Sequence, residues 1–437
     1  MLAAEIRNPK IHAKARALVE RAITLLLSSV GTSEEIPHTI VERRRITGPG
    51  AWTRDYQSEP DYFIWVFRHE TEIQSLPEYA AFSDAMYADP VFSAHVGHLV
   101  GTVRSAISVS LRDYLSYLLT TQFPSALENE QFNPDAFDRH YLAMESFFYG
   151  DKVEFREWAP LENFDCDIDS VDLGGSLTIR RIPKEELEGL LDTSRWGQKA
   201  SVGIVGLKYA IERAYQLDKV LGIPDLEDLK PDPEGETLGK LITALRLFRA
   251  GKVGLNIIQV TPVLQVPGIL GGTRGGFEYR HYWGPRYLLG GTDVEDFKEF
   301  WRAFRQADLE HRATINIAIS RFNYAYERLS AEDKLIDYII AFEALFFKEN
   351  EKGEFRHKIA VRVARLLGKD YGSRKAMAKE MLEFYDKRSA VVHGERTILP
   401  PGFIEKVEGY LRESIKHFLR QPDTRSHDEM ISRLDLQ

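Results

Sequence analysis

At 437 residues the chain exceeds one ordinary domain and suits two or three. Hydrophobic residues make up 43% and charged residues 28%, with a single cysteine, Cys166, so a disulfide-stapled scaffold is excluded. The net charge of −9 excludes a molecule that binds nucleic acid non-specifically over its whole surface, so any site for a polyanion must be local.

No run of ~18 apolar residues and no secretory h-region stands out, and the lone thiol suits a reducing compartment. The expected location is the cytoplasm, with no membrane partner. Residues 1–30 read as an amphipathic helix, and HTIVERRRI (His38–Ile46) as a strand. The aromatic and β-branched run Asp61–Phe67 reads as a second strand. From Ser75 to Thr121 the pattern turns helical, and 133–149 is a further helix, with Asn133 as N-cap and Pro134 at N1.

Strand patterns return at Val153–Trp158, Ser176–Arg181, Ser201–Lys208 and Val253–Val263. Between them, helices are expected to open near Pro183, Tyr209 and Glu236. LKPDPEGE (229–236) and GILGGTRGG (268–276) read as exposed loops. These alternations predict an α+β region over 1–293, which would recognise substrate or sense a trigger. An all-α bundle follows over 294–425, then a polar, loose tail over 426–437.

In the bundle, a long helical stretch covers Val294–Arg328. The next helix opens at Ser330, with Asp333 three residues on, an approximate capping box. A third helix covers Phe355–Leu367 and stops at Gly368. Its core face is Ile359, Val363 and Leu366, while Lys358, Arg362, Arg365 and Lys369 form a basic stripe on another face. From Lys352 to Arg388 there are eleven Lys/Arg and five Asp/Glu, a local excess that suits a polyanion and equally fits a solvated helix face. The fourth helix covers Ser373–Gly394, and a fifth follows Pro400-Pro401-Gly402.

The chemistry-bearing sequence is Arg388-Ser389-Ala390-Val391-Val392-His393. Cutting RNA without a metal takes a base for the 2′-OH, an acid for the leaving 5′-oxygen and a cation for the phosphorane. Histidine suits the proton transfers near neutral pH, and arginine supplies a permanent bidentate charge. Arg388 falls at the edge of the apolar face, where it is costly unless paired or functional. His393 falls in the last turn, at the helix's negative end. Five helical positions separate the two by about 140°, so one helix aims them apart. Two such helices across a two-fold axis would bring both pairs into one cleft, which calls for a dimer. The spacing alone discriminates poorly: with four to six residues between arginine and histidine, Arg7/His12, Arg274/His281, Arg305/His311, Arg412/His417 and Arg420/His427 also qualify.

Three segments in order, AISRFNYAYERLSAEDKLIDYIIAFEALF, HKIAVRVARLLG and YDKRSAVVHGE, resemble the Apea-like HEPN family over 110–130 residues. The matched features are Glu343-Ala344-Leu345, the arginines Arg362 and Arg365, and Tyr385 to Gly394. The resemblance implies a HEPN helical bundle that forms a homodimer through its C-terminal helices. It also implies a metal-independent endoribonuclease, without cofactor, that leaves a 2′,3′-cyclic phosphate. The substrate would be RNA, tRNA among the candidates, in anti-phage defence or a toxin–antitoxin pair, with an antitoxin or trigger as partner. Arg388 would hold the scissile phosphate and His393 act as acid or base. Ser389 stands where relatives often carry Asn, Asp or His. Lys358, Arg362, Arg365, Lys369 and Lys387 would bind RNA, supported by Glu343 and Tyr385. The rival reading is a non-catalytic HEPN dimerisation and RNA- or nucleotide-binding module, with His393 packed as a cap and Arg388 in a salt bridge to Glu343 or Asp386.

Other features have plainer explanations. Asp165, Asp167 and Asp169 alternate with apolar residues and suit a solvated strand face, although a metal hydrolase site is conceivable. His95 and His98 lack a third ligand and read as structural. GGTRGG lacks the Lys-Ser/Thr of a phosphate loop. Glu42-Arg43-Arg44-Arg45 reads as a charged strand face that could also touch RNA.

Overall fold

A computed structural model describes residues 6–30, 35–49, 51–102, 105–193, 204–222, 237–269, 271–275, 284–348, 351, 353–421 and 426–436. In chain order, α1 (Pro9–Ser29) precedes a hairpin, β1 (His38–Gly48) and β2 (Ala51–Pro60). Then come α2 (Tyr62–Arg68), α3 (Glu70–Gln74), α4 (Pro77–Ala88) and α5 (Pro90–His95). The pair β3 (Leu99–Thr102) and β4 (Ser105–Ser108) leads to α6 (Leu111–Thr120), α7 (Phe123–Asn129) and α8 (Pro134–Tyr149). Next are β5 (Lys152–Glu162), β6 (Phe164–Cys166), β7 (Ser170–Asp172), β8 (Leu177–Arg181), α9 (Lys184–Thr193) and β9 (Tyr209–Leu221). They are followed by α10 (Thr237–Phe248), β10 (Gly254–Leu255), β11 (Ile257–Pro262), β12 (Gly272–Gly275) and β13 (Tyr287–Leu289). Helices complete the chain: α11 (Val294–Gln306), α12 (Ala313–Glu327), α13 (Ala331–Phe346), α14 (Phe355–Leu367), α15 (Tyr371–Val392), α16 (Phe403–Leu419) and α17 (His427–Leu436).

Contacts divide the chain into two units. One comprises Met1–Pro160, Gly174–Asp232 and Asn256–Tyr279; the other comprises Leu161–Leu173, Pro233–Leu255 and Arg280–Gln437. The chain thus has an α/β amino-terminal region and a helical carboxy-terminal one, but the units interleave instead of meeting at residue 293. The reason is chemical: segment 237–255 supplies charged groups to the interior of the helical unit, as described below.

In the first unit, an antiparallel sheet runs β12-β11-β5-β9-β3-β4, with β8 on the amino-terminal half of β9. Registers such as Trp158↔Glu212 and Gln259↔Trp158 fix its centre. Helices assemble an apolar core around Leu18, Trp65, Phe82, Tyr114, Phe137 and Phe148. Asn8 caps α1 by accepting from Ile11 N–H at 3.1 Å, and Asn133 caps α8 through Ala136 N–H, also at 3.1 Å, with Pro134 at N1.

Four local expectations are corrected. Asp61–Phe67 is helix, not strand: Asp61 accepts from Ile64 N–H at 2.9 Å, and this cap with the burial of Trp65 and Val66 outweighs β-propensity. Tyr209–Leu221 is the longest strand of the sheet instead of a helix, and residues 204–208, expected as strand, precede it outside any strand, with Lys208 O accepting from Ile182 N–H at 2.9 Å. Arg213 occupies a core-facing position there, bonded to Glu157 at 2.5 Å with both side chains 3% exposed, and so masks the period of two. Gly272–Gly275 pairs with β11, although it was expected as loop. The loop expected at 229–236 lies outside the described residues.

In the helical unit, Val294–Arg328 is two helices broken at 307–312. Ser330 accepts from Asp333 N–H at 3.0 Å, one half of a capping box. The core gathers Trp301, Phe322, Tyr338, Phe342, Val363 and Leu411. The expected loose tail is instead α17, whose Met430, Ile431 and Leu434 are buried. Among the described residues, no helix is long and apolar enough to cross a membrane.

Candidate functional site

Helix α15 spans 22 residues and carries the Arg-x4-His sequence at its end. Asp370 and Ser373 form a reciprocal capping box at its start, with Asp370 accepting from Ser373 N–H at 2.8 Å. Only Met381 and Phe384 are fully buried in it. Phe384 sits edge-on to Phe403, ring centroids 4.9 Å apart, which holds α15 against α16.

One helical turn apart on this helix, Tyr385 and Arg388 form a small assembly. The Tyr385 hydroxyl donates to Glu343 Oε1 of α13 at 3.1 Å. Burial pushes the Tyr385 hydroxyl up, and the Glu343 carboxylate adds to the effect, so the group stays a donor. The Arg388 guanidinium carbon lies 5.9 Å from the Tyr385 ring centroid, within cation–π range. Arg388 itself is half-buried, and its Nε is buried with no acceptor among the described residues. Neither expected carboxylate reaches it: Glu343 is engaged by Tyr385, and Asp386 pairs with Arg356.

His393 follows Val392 as the C-cap, exposed, its backbone N–H donating to Ser389 O at 3.0 Å. Gly394 adopts φ +77° and donates to Val391 O, while Glu395 N–H returns to Ala390 O at 2.9 Å. This left-handed residue ends the helix and leaves the imidazole at its rim. The His393 ring makes no hydrogen bond among the described residues. Ser389 and Lys387 are half-buried on the same helix.

The basic stripe of α14 is not the open surface the sequence suggested. Arg362 is 3% exposed. Its guanidinium donates to Glu351 Oε2 and Oε1, each at 2.8 Å, to Asp435 Oδ1 and Oδ2 at 2.7 and 2.9 Å, and to Phe346 O at 2.6 Å. Arg365 donates to the carbonyls of Leu434 and Asp435 at 2.8 and 2.9 Å. Lys358 pairs with Glu351 at 3.0 Å, and Lys369 is exposed. Arg362 holds the Glu351 carboxyl down at about 2, and draws Asp435 below its ordinary value too. The sequence signal for these acceptors was present in the acidic residues of the expected tail, but without a contact partner it carried no position.

Sequence reasoning also missed a buried ionic cluster. Glu408 accepts from Lys252 Nζ at 2.7 Å, Tyr326 OH at 2.8 Å and Tyr338 OH at 2.9 Å, and from Arg412. Arg412 Nε donates to Arg246 O at 2.8 Å, and Arg246 Nη1 to Asn323 Oδ1 at 3.0 Å. These contacts are what draw segment 237–255 into the helical unit. The Glu408/Arg412 spacing of four, on the face of Val407 and Leu411, was its only sequence signal.

The remaining candidates are held by neighbours. Arg43 pairs with Glu59, Arg44 with Glu42 and Arg45 with Glu188. Strand β6 ends at Cys166, so Asp165, Asp167 and Asp169 do not share a strand face, and Asp165 pairs with Arg286. Among the described residues, no three His, Cys, Asp or Glu side chains converge as metal ligands. His95 is 1% exposed and bonded through Nδ1 to Val91 O.

Comparison of the chain with known families, curated proteins and solved structures finds no match.

Proposed function

We propose that the chain is a cytoplasmic, metal-independent endoribonuclease of the HEPN type, with Arg388 and His393 as its catalytic residues. The observation that carries this reading is the Arg388 Nε, buried without an acceptor among the described residues and five positions before an exposed histidine. An unsatisfied buried N–H of a charged group costs more than about 1–3 kcal/mol, so its retention points to an acceptor delivered by a ligand. A phosphodiester supplies such oxygens. The non-catalytic alternative favours a packed His393 and a salt-bridged Arg388, whereas among the described residues His393 is an exposed C-cap and Arg388 makes no salt bridge, which supports the catalytic reading.

Dimerisation has its own support. Ala378, Leu382, Tyr385, Ser389 and Val392 recur at spacings of four and three, and none is fully buried. Such a seam suits a second copy of the same helix. Pairing would bring two arginines and two histidines together. One imidazole would take the 2′-hydroxyl proton as O2′ bonds to phosphorus. The P–O5′ bond would break, and the other imidazolium would protonate O5′. The products are a 2′,3′-cyclic phosphate and a 5′-hydroxyl. Arg388 would neutralise the phosphorane, and Ser389 would border it. The setting we favour is anti-phage defence or a toxin–antitoxin pair, with tRNA among the substrates.

The test is incubation of the purified protein with total RNA and with tRNA in EDTA, followed by analysis of the product ends. Cyclic-phosphate ends support the reading. Uncut RNA, or cleavage only on adding a divalent metal, contradicts it.

A further inference from the structure

Helix α17 lies across the basic stripe of α14 with its acidic carboxy-terminal turn on the arginines. Asp435 takes both Arg362, at 2.7 and 2.9 Å, and Lys348 Nζ, at 3.0 Å. The carbonyls of Leu434 and Asp435, at the negative end of α17, accept from Arg365. A carboxylate flanked by aligned carbonyl oxygens, facing a fork of guanidinium donors, presents the acceptor pattern that a phosphodiester offers. Lys348, Lys358 and Arg362 pair here with Glu351 and Asp435, and Arg365 is met by carbonyl oxygens, so the cover supplies anionic and dipolar acceptors to a row of cations.

Apolar packing contributes little to the cover, whose hold is chiefly ionic. α17 has ten residues, too few for a stable isolated helix, and buries three apolar side chains. Beside it lies a cavity of about 210 Å³ between Leu366, Phe418, Met430 and Leu434. His427 Nε2 lies 2.9 Å from Leu345 O, tying its amino-terminal end to α13. An anion that replaces Asp435 on these cations would release the carboxy-terminal turn while His427 keeps the amino-terminal end tethered.

We infer that α17 is an internal competitor for the phosphodiester backbone of RNA, covering the α14 face that the backbone takes once this helix is displaced. The inference rests on RNA as the ligand of the helical unit. It explains how a stripe read from sequence as RNA-binding is closed at rest. Displacement exposes Arg365 and Lys348 and replaces Asp435 on Arg362, while Glu351 keeps Arg362 oriented.

The experiment uses the full chain carrying His393→Ala, so that RNA stays intact, and a labelled single-stranded RNA. Binding is measured at several salt concentrations with and without Asp435→Asn. The expected result is about tenfold tighter binding for Asp435→Asn, with a salt dependence steeper by about one phosphate contact, and loss of the gain on adding Arg365→Gln. Equal or weaker binding by Asp435→Asn, with an unchanged melting curve, overturns the inference. Hydrogen exchange in the Asp435-containing protein decides independently of any folding defect in the variant. Amides of 430–436 should lose protection at saturating RNA, and retained protection overturns the inference. Failure of the nuclease reading shows separately, as RNA left uncut by the wild-type chain, and leaves these binding outcomes interpretable.

Discussion

Tyr385 donates to Glu343 at 3.1 Å and turns its ring toward Arg388, so one residue both locks α15 to α13 and faces the candidate catalytic cation. Tyr385→Phe keeps the ring and removes the bond. It should lower stability by about 1 kcal/mol and slow RNA cleavage severalfold, whereas Tyr385→Ala should slow it further. Urea denaturation and cleavage rates measured on the same preparations separate the two effects.

Glu408 gathers Lys252, Arg412, Tyr326 and Tyr338 in the interior. Glu408→Ala leaves two buried cations without their carboxylate and should cost about 3–5 kcal/mol. Replacing Lys252 by Met in addition should recover part of that loss. Equal stability of wild type and Glu408→Ala in urea titration would show that the cluster is not buried as described.

His95 is held down at about 4, chiefly by burial, with Lys219 nearby acting in the same direction. The unfolded chain takes up its proton near 6.5, above the folded value, so this histidine's contribution is complete above that pH. It is lost as pH falls from about 6.5 to 4, by up to about 3 kcal/mol. Stability measured across that window should slope downward with acid, and His95→Gln should flatten the slope.

Glu351 and Asp435 have the opposite chemistry and the same sign. Their carboxyls are depressed by Arg362, Glu351 to about 2, so both contribute above the ordinary carboxylate range. That contribution fades as pH drops from about 4.5 toward 2. Exchange of the α17 amides should accelerate over this range before the core amides of α13 do. Simultaneous acceleration would mean that α17 does not open by itself.

The sequence reads well where local chemistry is self-contained. Asn133 caps α8 with Pro134 at N1, Ser330 caps α13, and the strand pattern at Val153–Trp158 lies in β5. It reads poorly where a distant partner decides. Arg213 interrupts the alternation of β9 because its partner, Glu157, lies 56 positions earlier. Arg362 looks solvent-facing until Asp435, 73 positions later, closes over it. Likewise Lys252 gives no hint that Glu408 will receive it. At the candidate site, the placement of Arg388 at a half-buried edge and of His393 at the helix end follows from spacing and from Gly394. The missing acceptor on Arg388 Nε needs coordinates, since it depends on Glu343 and Asp386 both being engaged elsewhere.

The most direct test is RNA cleavage in EDTA by wild type, Arg388→Ala, His393→Ala and an equimolar mixture of the two variants after subunit exchange. The expected result is cleavage by wild type, loss of at least about 100-fold in each variant with unchanged melting, and no recovery in the mixture, whose mixed dimers hold only one of the two imidazoles. Either variant cutting as fast as wild type would contradict the assignment of Arg388 and His393 as the catalytic pair.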